Sequence, residues 1–344
     1  MAVNTHSSLR GVFTNKMRAY PSVLISSNRH AQVYRVRRRR VPQESWRSYC
    51  LKVLHIDEAN LVQHESVLRR IPQLSADYHP HDLPVPPLAS FGRMTSSHNE
   101  SRGTLWIATP WVEGSSLSQL MADATCREDP PRFSEALQIA RSIAKNIVDL
   151  GCLEGCDTRL VHGDLKPSNV IVTSCSPVHT VLVDFDTASF AGDKVVPLCG
   201  TFGYAAPESF CARHSRSCTN GARDVYSLGV ILHELLTGRG PHPYSSVLVR
   251  YLTQLSTTAK GVSGVQVDES LPVDVRNVLT SCLALHPAAR PHPDELLKAI
   301  SRLAERYEDN EHRCSFAQRT NEVTTLLQVR ERPTWQNAEL RAAQ

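Results

Sequence analysis

Between Leu160 and Asp186 the chain reads LVHGDLKPSNVIVTSCSPVHTVLVDFD, which sets Asp164, Lys166, Asn169 and Asp184 around two short apolar runs. Those runs, Asn169 to Val172 and Val181 to Val183, have the length and β-branched content of short strands, so the polar residues fall in loops at their ends. Loops held by strands are where sites are built. Asn169 and Asp184 are oxygen ligands of the kind Mg²⁺ takes, since that ion keeps several waters and adds one or two carboxylates and substrate phosphates. Asp164 supplies a carboxylate that can accept a proton from an attacking hydroxyl. The chemistry implied is magnesium-dependent phosphoryl transfer with the acceptor left open. The bland alternative is a strand-loop-strand whose polar residues only cap and solvate.

The elements that must position these residues can be read along the chain. Alternating stretches at Ser22 to Ile25, Gln32 to Val36 and Ser48 to Leu54 predict antiparallel strands. Asp57 offers an N-cap to a helix carrying Leu61, Val62, Leu68 and Ile71 at helical spacing, and Pro72 stops it. A Pro-, His- and Ser-rich stretch follows, with strands at Leu88 to Met94 and Leu105 to Val112 and a linker at Glu113 to Ser116. Beyond it the period lengthens: Ala136, Leu137, Ile139, Ala140, Ile143, Ala144, Ile147 and Val148 mark a long buried helix. Further helices are predicted at Asp224 to Thr237, Ser245 to Gln254, Val273 to Cys282 and Pro293 to Glu308. After Asp309 the chain is polar and Arg-rich without a sustained apolar face, which predicts a flexible tail or one loose helix. No internal repeat is visible.

Composition sets the class. With 344 residues the chain is long enough for one two-lobed enzyme or two small domains, and its 41% hydrophobic content can build a sizeable core. Its net charge of +4 is weak, so no nucleic-acid partner is expected. The basic excess gathers at Arg35 and Arg37 to Arg40, which reads as a solvated hairpin loop, with nuclear targeting or an anionic partner as alternatives. No apolar run is long enough for a membrane span, and the start lacks both a signal-peptide core and a myristoylation glycine. Residues 1–20 are acid-free with Arg10, Lys16 and Arg18, which weakly resembles a transit peptide but reads better as an unstructured extension. Ten scattered cysteines without a framework suit reduced thiols and a cytoplasmic setting. Cys211, His214 and Cys218 lack a fourth ligand, so no zinc site is assigned.

The pattern HxDLKxxN followed by DF resembles the catalytic and metal-binding loops of the eukaryotic-type Ser/Thr protein kinases. The resemblance implies that Asp164 orients the acceptor hydroxyl as catalytic base, that Lys166 steadies the transferring group, and that Asn169 and Asp184 hold magnesium. Lys52, closing the Tyr49-Cys-Leu-Lys52 strand, would grip the nucleotide phosphates, and Glu65 on the next helix would pair with it. Gly200-Thr-Phe-Gly-Tyr-Ala-Ala-Pro-Glu208 resembles the peptide-docking end of the activation segment. Asp224 would bond the catalytic loop backbone, and Arg290 would form a buried ion pair with Glu208. Val33, Cys50, Leu117 and Ile171 would sandwich adenine, with Thr109 as gate and Pro110, Trp111 and Val112 as hinge. The resemblance runs from Pro21 to Glu305. It implies an α+β, two-lobed fold: an N-lobe of antiparallel sheet plus one helix over 21–112, a mainly helical C-lobe over 113–306, and a tail at 307–344. ATP and Mg²⁺ are the implied cofactors and a protein Ser or Thr hydroxyl the acceptor. Ser116 and Ser168, where Arg-directed kinases often carry acids, disfavour that preference. Oligomeric state, regulators and physiological substrate are not read from the sequence.

Three departures qualify the resemblance. Ser26 to Val33 stands where the family has GxGxxGxV and has none of the three glycines, which implies weakened nucleotide affinity. Asp186 replaces a glycine after Asp184-Phe185. Gly163 replaces the arginine that receives the activation-segment phosphate, which implies activity independent of that phosphorylation. HGDL and DFD also resemble aminoglycoside and choline kinases, but those lack the Ala206-Pro207-Glu208 segment, the Asp224 helix motif and Arg290. A non-catalytic pseudokinase is favoured by the missing glycines and opposed by Lys52, Glu65, Asp164, Asn169 and Asp184.

Overall fold

A computed structural model describes residues 22–28, 30–38, 47–71, 86–94, 102–126, 133–153, 158–191, 193, 200–210, 221–241 and 265–308. These fall into two compact units, residues 22–71 with 86–112, and residues 113–308.

The first unit is a five-stranded antiparallel sheet in the order β1-β2-β3-β5-β4, built from β1 (Ser22–Ser27), β2 (Ala31–Arg38), β3 (Arg47–Asp57), β4 (Ser90–Met94) and β5 (Arg102–Pro110). Side chains alternate between faces, and residues paired across strands share a face, so the register sorts them. Tyr34 pairs with Leu51 and Leu51 with Ala108, and these three join Val36 and Val53 in one buried cluster. The other face carries Val33, Lys52, Leu54, Leu105, Ile107, Phe91 and Arg93. Against it lies α1 (Glu58–Leu68), whose Leu61 and Leu68 are buried seven residues apart on one stripe. β3 runs straight into α1. Leu88 forms only an isolated bridge before β4, and β5 ends at Pro110, which has no N–H to continue a ladder.

The second unit is mainly helical. It contains β6 (Ser115–Ser116), α2 (Leu117–Cys126), α3 (Phe133–Asp149), β7 (Leu160–Val161), β8 (Val170–Cys175), β9 (Val178–Leu182), β10 (Ser189–Phe190), α4 (Ala222–Thr237), α5 (Val273–Cys282) and α6 (Pro293–Glu308). The stripe predicted for α3 is buried, Ala136 through Ile147, and packs on α4, α6 and β9. The one polar residue on that stripe, Asn146, is buried with its amide donating to the Thr180 carbonyl at 2.8 Å and to Thr180 Oγ1 at 2.9 Å. α4 is buried nearly throughout and is framed by glycines in left-handed conformations, Gly221 and Gly238. The helix α2 was not foreseen, although Leu117, Leu120 and Ala124 are buried at helical spacing. The helix expected at Ser245 to Gln254, the N-terminal extension and the tail beyond Glu308 lie outside the described residues. Among the described residues no helix is long and apolar enough to cross a membrane.

His233 closes the C-terminal end of α4. Its Nδ1–H donates to the Arg239 carbonyl at 2.9 Å and its Nε2 accepts from the Asp268 N–H at 3.2 Å, so the ring is held neutral. Burial pushes its pKa below 6.5, against the pull of the Arg239 carbonyl and the Asp268 and Glu234 carboxylates. The folded state therefore resists a proton that the unfolded chain takes, so this site stabilises fully above the ordinary imidazole pKa and loses that stability as pH falls through it. Urea unfolding at about pH 7.5 and about pH 5.5 should show lower stability at the acid value, with a smaller difference in His233→Gln.

Candidate active site

The loop between β7 and β8 is anchored from below by one carboxylate. Asp224, in the first turn of α4 and 1% exposed, accepts the backbone N–H of His162 at 2.8 Å and of Gly163 at 2.9 Å. His162 is itself buried. Its Nδ1 accepts the Asp164 N–H at 3.3 Å, which leaves Nε2–H to donate to the Val183 carbonyl at 3.0 Å. Its ring also meets Phe185 with centroids 4.6 Å apart. The loop is thus tied to the segment after β9 as well as to α4.

That anchoring sets Asp164. Its Oδ1 accepts the Thr201 N–H and the Thr201 hydroxyl, both at 2.7 Å, and its Oδ2 accepts from Lys166 Nζ at 2.6 Å. Lys166 also donates to Thr201 Oγ1 at 2.8 Å, closing a three-residue ring. The Asn169 amide nitrogen donates to the Asp164 carbonyl at 2.9 Å, and the Asn169 carbonyl receives the Val183 N–H at 2.9 Å. Asp184 has φ 72°, and among the described residues it is the one non-glycine in the left-handed region. Such a conformation costs about 1–3 kcal/mol and clusters at functional sites.

Gly163 has a steric reason to be glycine. Its φ is +80°, and a Cβ there would stand 2.8 Å from the Thr187 carbonyl oxygen. Thr187 Oγ1 in turn donates to the His162 carbonyl at 3.2 Å, so the two segments are in contact on both sides. Any side chain at this position would require a left-handed backbone and a shift of Thr187 away from the added Cβ.

The segment leading away from Thr201 ends in a buried ion pair. Glu208 receives Arg290 NH1 at 2.5 Å and NH2 at 2.8 Å, with side chains 3% and 0% exposed. The remaining Arg290 N–H groups donate to the carbonyls of Ala284, Ala222 and Leu285, so all five donors are used. The guanidinium also lies 4.9 Å from the Tyr226 ring centroid. Tyr204 is held from the same helix by Ser227 Oγ, which donates to its carbonyl, and by Glu234, which accepts its hydroxyl at 2.6 Å.

In the first unit Val33, Cys50, Lys52 and Thr109 share one face of the sheet, since Val33 pairs with Lys52 and Cys50 with Thr109. Val112 follows the end of β5. In the second unit Leu117 is fully buried and Ile171 pairs with Ser116. Glu65 differs from expectation. Its carboxylate is not bonded to Lys52 but receives Arg93 Nε at 2.6 Å and NH2 at 3.0 Å, and Arg93 holds its pKa below the usual carboxylate range. The β1–β2 turn is closed without glycine: Asn28 Oδ1 accepts the N–H groups of His30 at 2.8 Å and Ala31 at 2.7 Å, and Asn28 N–H donates to the Ala31 carbonyl at 2.9 Å. Arg93 was missed because it lies in no motif, whereas Asn28 could be read from the sequence as a residue that lets this turn close without glycine. Its side-chain oxygen, bonded to N–H groups two and three residues on, is the local device that does so.

No group of three or more His, Cys, Asp or Glu is placed to hold a metal among the described residues, and Cys211, His214 and Cys218 lie outside them. An Asn oxygen and one carboxylate are nonetheless a sufficient donor set for Mg²⁺ when phosphates complete it.

A sheet-plus-helix unit carrying Lys52 and Glu65, followed by a helical unit carrying the Asp164 loop and the Glu208–Arg290 pair, is the layout of a protein kinase domain. Residues 30–300 match the family model described as the protein kinase domain, and the chain belongs to that family. Among curated relatives, the serine/threonine-protein kinase AfsK of Streptomyces griseus is 35% identical over 200 residues, 54% of this chain and 21% of the relative. The serine/threonine-protein kinase PknF of Mycobacterium tuberculosis is 27% identical over 274 residues, 77% of this chain and 52% of the relative. The chain thus spans from about a fifth to about half of the length of these relatives.

Two outcomes follow from the packing. Glu208→Ala strands a buried guanidinium and should lower unfolding free energy by about 3–5 kcal/mol, whereas Glu208→Leu combined with Arg290→Met should recover only part of it, because the carbonyls of Ala284, Ala222 and Leu285 lose the donors that Arg290 supplies. Gly163→Ala should cost about 1–2 kcal/mol from its left-handed backbone alone, and more if Thr187 does not yield. Urea denaturation midpoints measure both.

Proposed function

We propose that the chain transfers the γ-phosphoryl of Mg·ATP to a Ser or Thr hydroxyl of a protein, through a kinase domain over residues 21–306. The observation that carries this reading is the bonding of Asp164 and Lys166 to Thr201. It couples the candidate base to the segment that ends at Glu208, the segment that docks peptides in this family. Small-molecule phosphotransferases of the aminoglycoside type lack that segment, so the coupling supports a protein acceptor. The serine/threonine kinase names of the relatives agree with it.

In this mechanism Asp164 exchanges its bonds to Thr201 for one to the acceptor hydroxyl and takes that proton as the new phosphate ester forms. Lys166, already bonded to Asp164, offsets negative charge at the same point. Asn169 and Asp184 would hold magnesium, which when bound neutralises charge on the phosphate oxygens. Asn169 is turned for this by its own amide nitrogen, which is spent on the Asp164 carbonyl. Lys52 would anchor the nucleotide phosphates, with Val33, Cys50, Thr109, Val112, Leu117 and Ile171 around the base. Cys50, Cys152, Cys175 and Cys282 are not in disulfides, which agrees with a reducing, cytoplasmic setting, and the Arg37 to Arg40 run is the feature that would serve nuclear entry.

Asp164→Ala should reduce kcat by about 10²- to 10⁴-fold while leaving the Kd for a non-hydrolysable ATP analogue within about twofold. Radiolabelled transfer with a generic protein substrate and an amino sugar side by side checks the acceptor. Label on protein is expected; label on the sugar would move the chain to the small-molecule class.

A further inference from the structure

The weak net charge of the chain conceals a sharp asymmetry. Residues 1–43 carry nine Lys or Arg and no Asp or Glu, whereas the remainder carries 29 basic against 34 acidic side chains. Within that basic region lies the outer edge of the first unit's sheet. β1 is the edge strand, and all six of its residues are exposed. Five large hydrophobic side chains are exposed among the described residues, and three of them are consecutive here: Val23 at 50%, Leu24 at 49% and Ile25 at 46%. Scattered exposed apolar residues are ordinary, but a contiguous run on an uncharged edge strand marks a surface that meets something.

The neighbouring strands supply the charge. Val23 pairs with Arg35 and so shares a face with Arg37, two residues on, while Arg38 pairs directly with Arg47 of β3. Like charges opposite one another on a ladder are unfavourable, a cost that an anionic partner reverses. Arg35 is braced on the Trp111 ring, with its guanidinium 4.7 Å from the centroid, and is left out of the surface. The two properties together select the occupant. A second copy adding its own β1 needs a regular edge, yet the β1–β2 register breaks between Leu24 and Ser26, and a bulge of this kind blunts strand pairing. Such a copy also brings a second basic surface against the first. A nucleic acid answers the arginines and leaves the Val-Leu-Ile run in water. An anionic bilayer answers both, since its interface takes apolar side chains and its headgroups take guanidinium.

We propose that the β1 edge, with Arg37, Arg38 and Arg47 beside it, is a docking surface for an anionic lipid bilayer. Val23, Leu24 and Ile25 enter the headgroup boundary edge-on, and the arginines meet lipid phosphates and carboxylates. The attachment is peripheral and reversible, because three short side chains and a few charges hold far less firmly than a membrane-spanning helix. It uses neither Asp164 nor nucleotide and stands apart from the kinase reading.

Flotation of the full chain with vesicles tests this. The chain should float with phosphatidylcholine vesicles containing about 30% phosphatidylserine and not with phosphatidylcholine alone. Its partition coefficient should fall at least about tenfold between about 0.1 M and about 0.5 M NaCl. Arg38→Gln with Arg47→Gln should weaken partitioning by about 25-fold, roughly fivefold for each arginine. Leu24→Ser with Ile25→Ser should weaken it by about tenfold, with thermal unfolding midpoints confirming that both variants fold. Absence of the wild-type chain from the serine-lipid vesicles overturns the proposal, as does equal flotation with neutral ones; neither result depends on a variant. Undiminished vesicle binding by the folded Leu24→Ser, Ile25→Ser protein also overturns it and assigns the arginines to a polyanion such as nucleic acid. A dimer of the free chain in sedimentation, lost in that same variant, gives the edge to a second copy instead.

Discussion

The loop between β7 and β8 depends on one buried carboxylate. Asp224 receives two consecutive backbone N–H groups, and that demand shapes the loop on either side of it. Two adjacent N–H groups can converge on one side chain only if the chain turns sharply, and Gly163 provides the turn with its left-handed backbone. The sharp turn brings Gly163 against Thr187, so the segment after Asp184 is packed on the loop. Asp164, next in sequence, is then presented to Thr201 and Lys166. A buried acceptor without its donors, or donors without it, would leave polar groups stranded at a cost of about 1–3 kcal/mol each. The arrangement is therefore held as a unit.

The same helix that carries Asp224 organises the far end of the segment. Arg290 reaches Glu208 and also the Ala222 carbonyl, in the first turn of α4, and stacks near Tyr226 one turn on. Ser227 holds Tyr204 and Glu234 takes its hydroxyl. Burial of α4 on nearly all sides supplies the rigidity these contacts need, since a helix enclosed all round is fixed by its neighbours and cannot rotate. A buried ion pair such as Glu208–Arg290 adds little net stability over an apolar pair, and its use here is in fixing geometry.

In the first unit the limiting constraint is the parity of the sheet. Because successive residues alternate, Val33, Cys50, Lys52 and Thr109 fall on one face while Tyr34, Leu51 and Ala108 build the core on the other. A shift of one residue in β3 would exchange the two sets. The same parity puts Arg93, two strands away, on the face that α1 covers, where it holds Glu65. The turn between β1 and β2 meets its backbone needs with the Asn28 side chain in place of glycine, so its N–H groups at His30 and Ala31 are already bonded. This gives the missing glycines a local physical meaning.

How much of this was legible depended on whether the signal was local. The strands of the sheet, the long helix α3, and α4, α5 and α6 followed from periodicity, because alternation and helical stripes are written along the chain itself. Asp164, Lys166, Asn169, Asp184 and the Glu208–Arg290 partners were named from their motifs and spacing. The helix α2 escaped because its short stripe follows directly on a linker, and Arg93 escaped because nothing near it in sequence announces a partner in α1. The sequence alone determined which side chains carry charge and which elements form, since both are properties of short stretches. Only the tertiary structure decided which cation holds Glu65 and why residue 163 is glycine. Both turn on contacts between segments distant along the chain, where strand register and a carbonyl at van der Waals range select among partners that composition leaves equivalent.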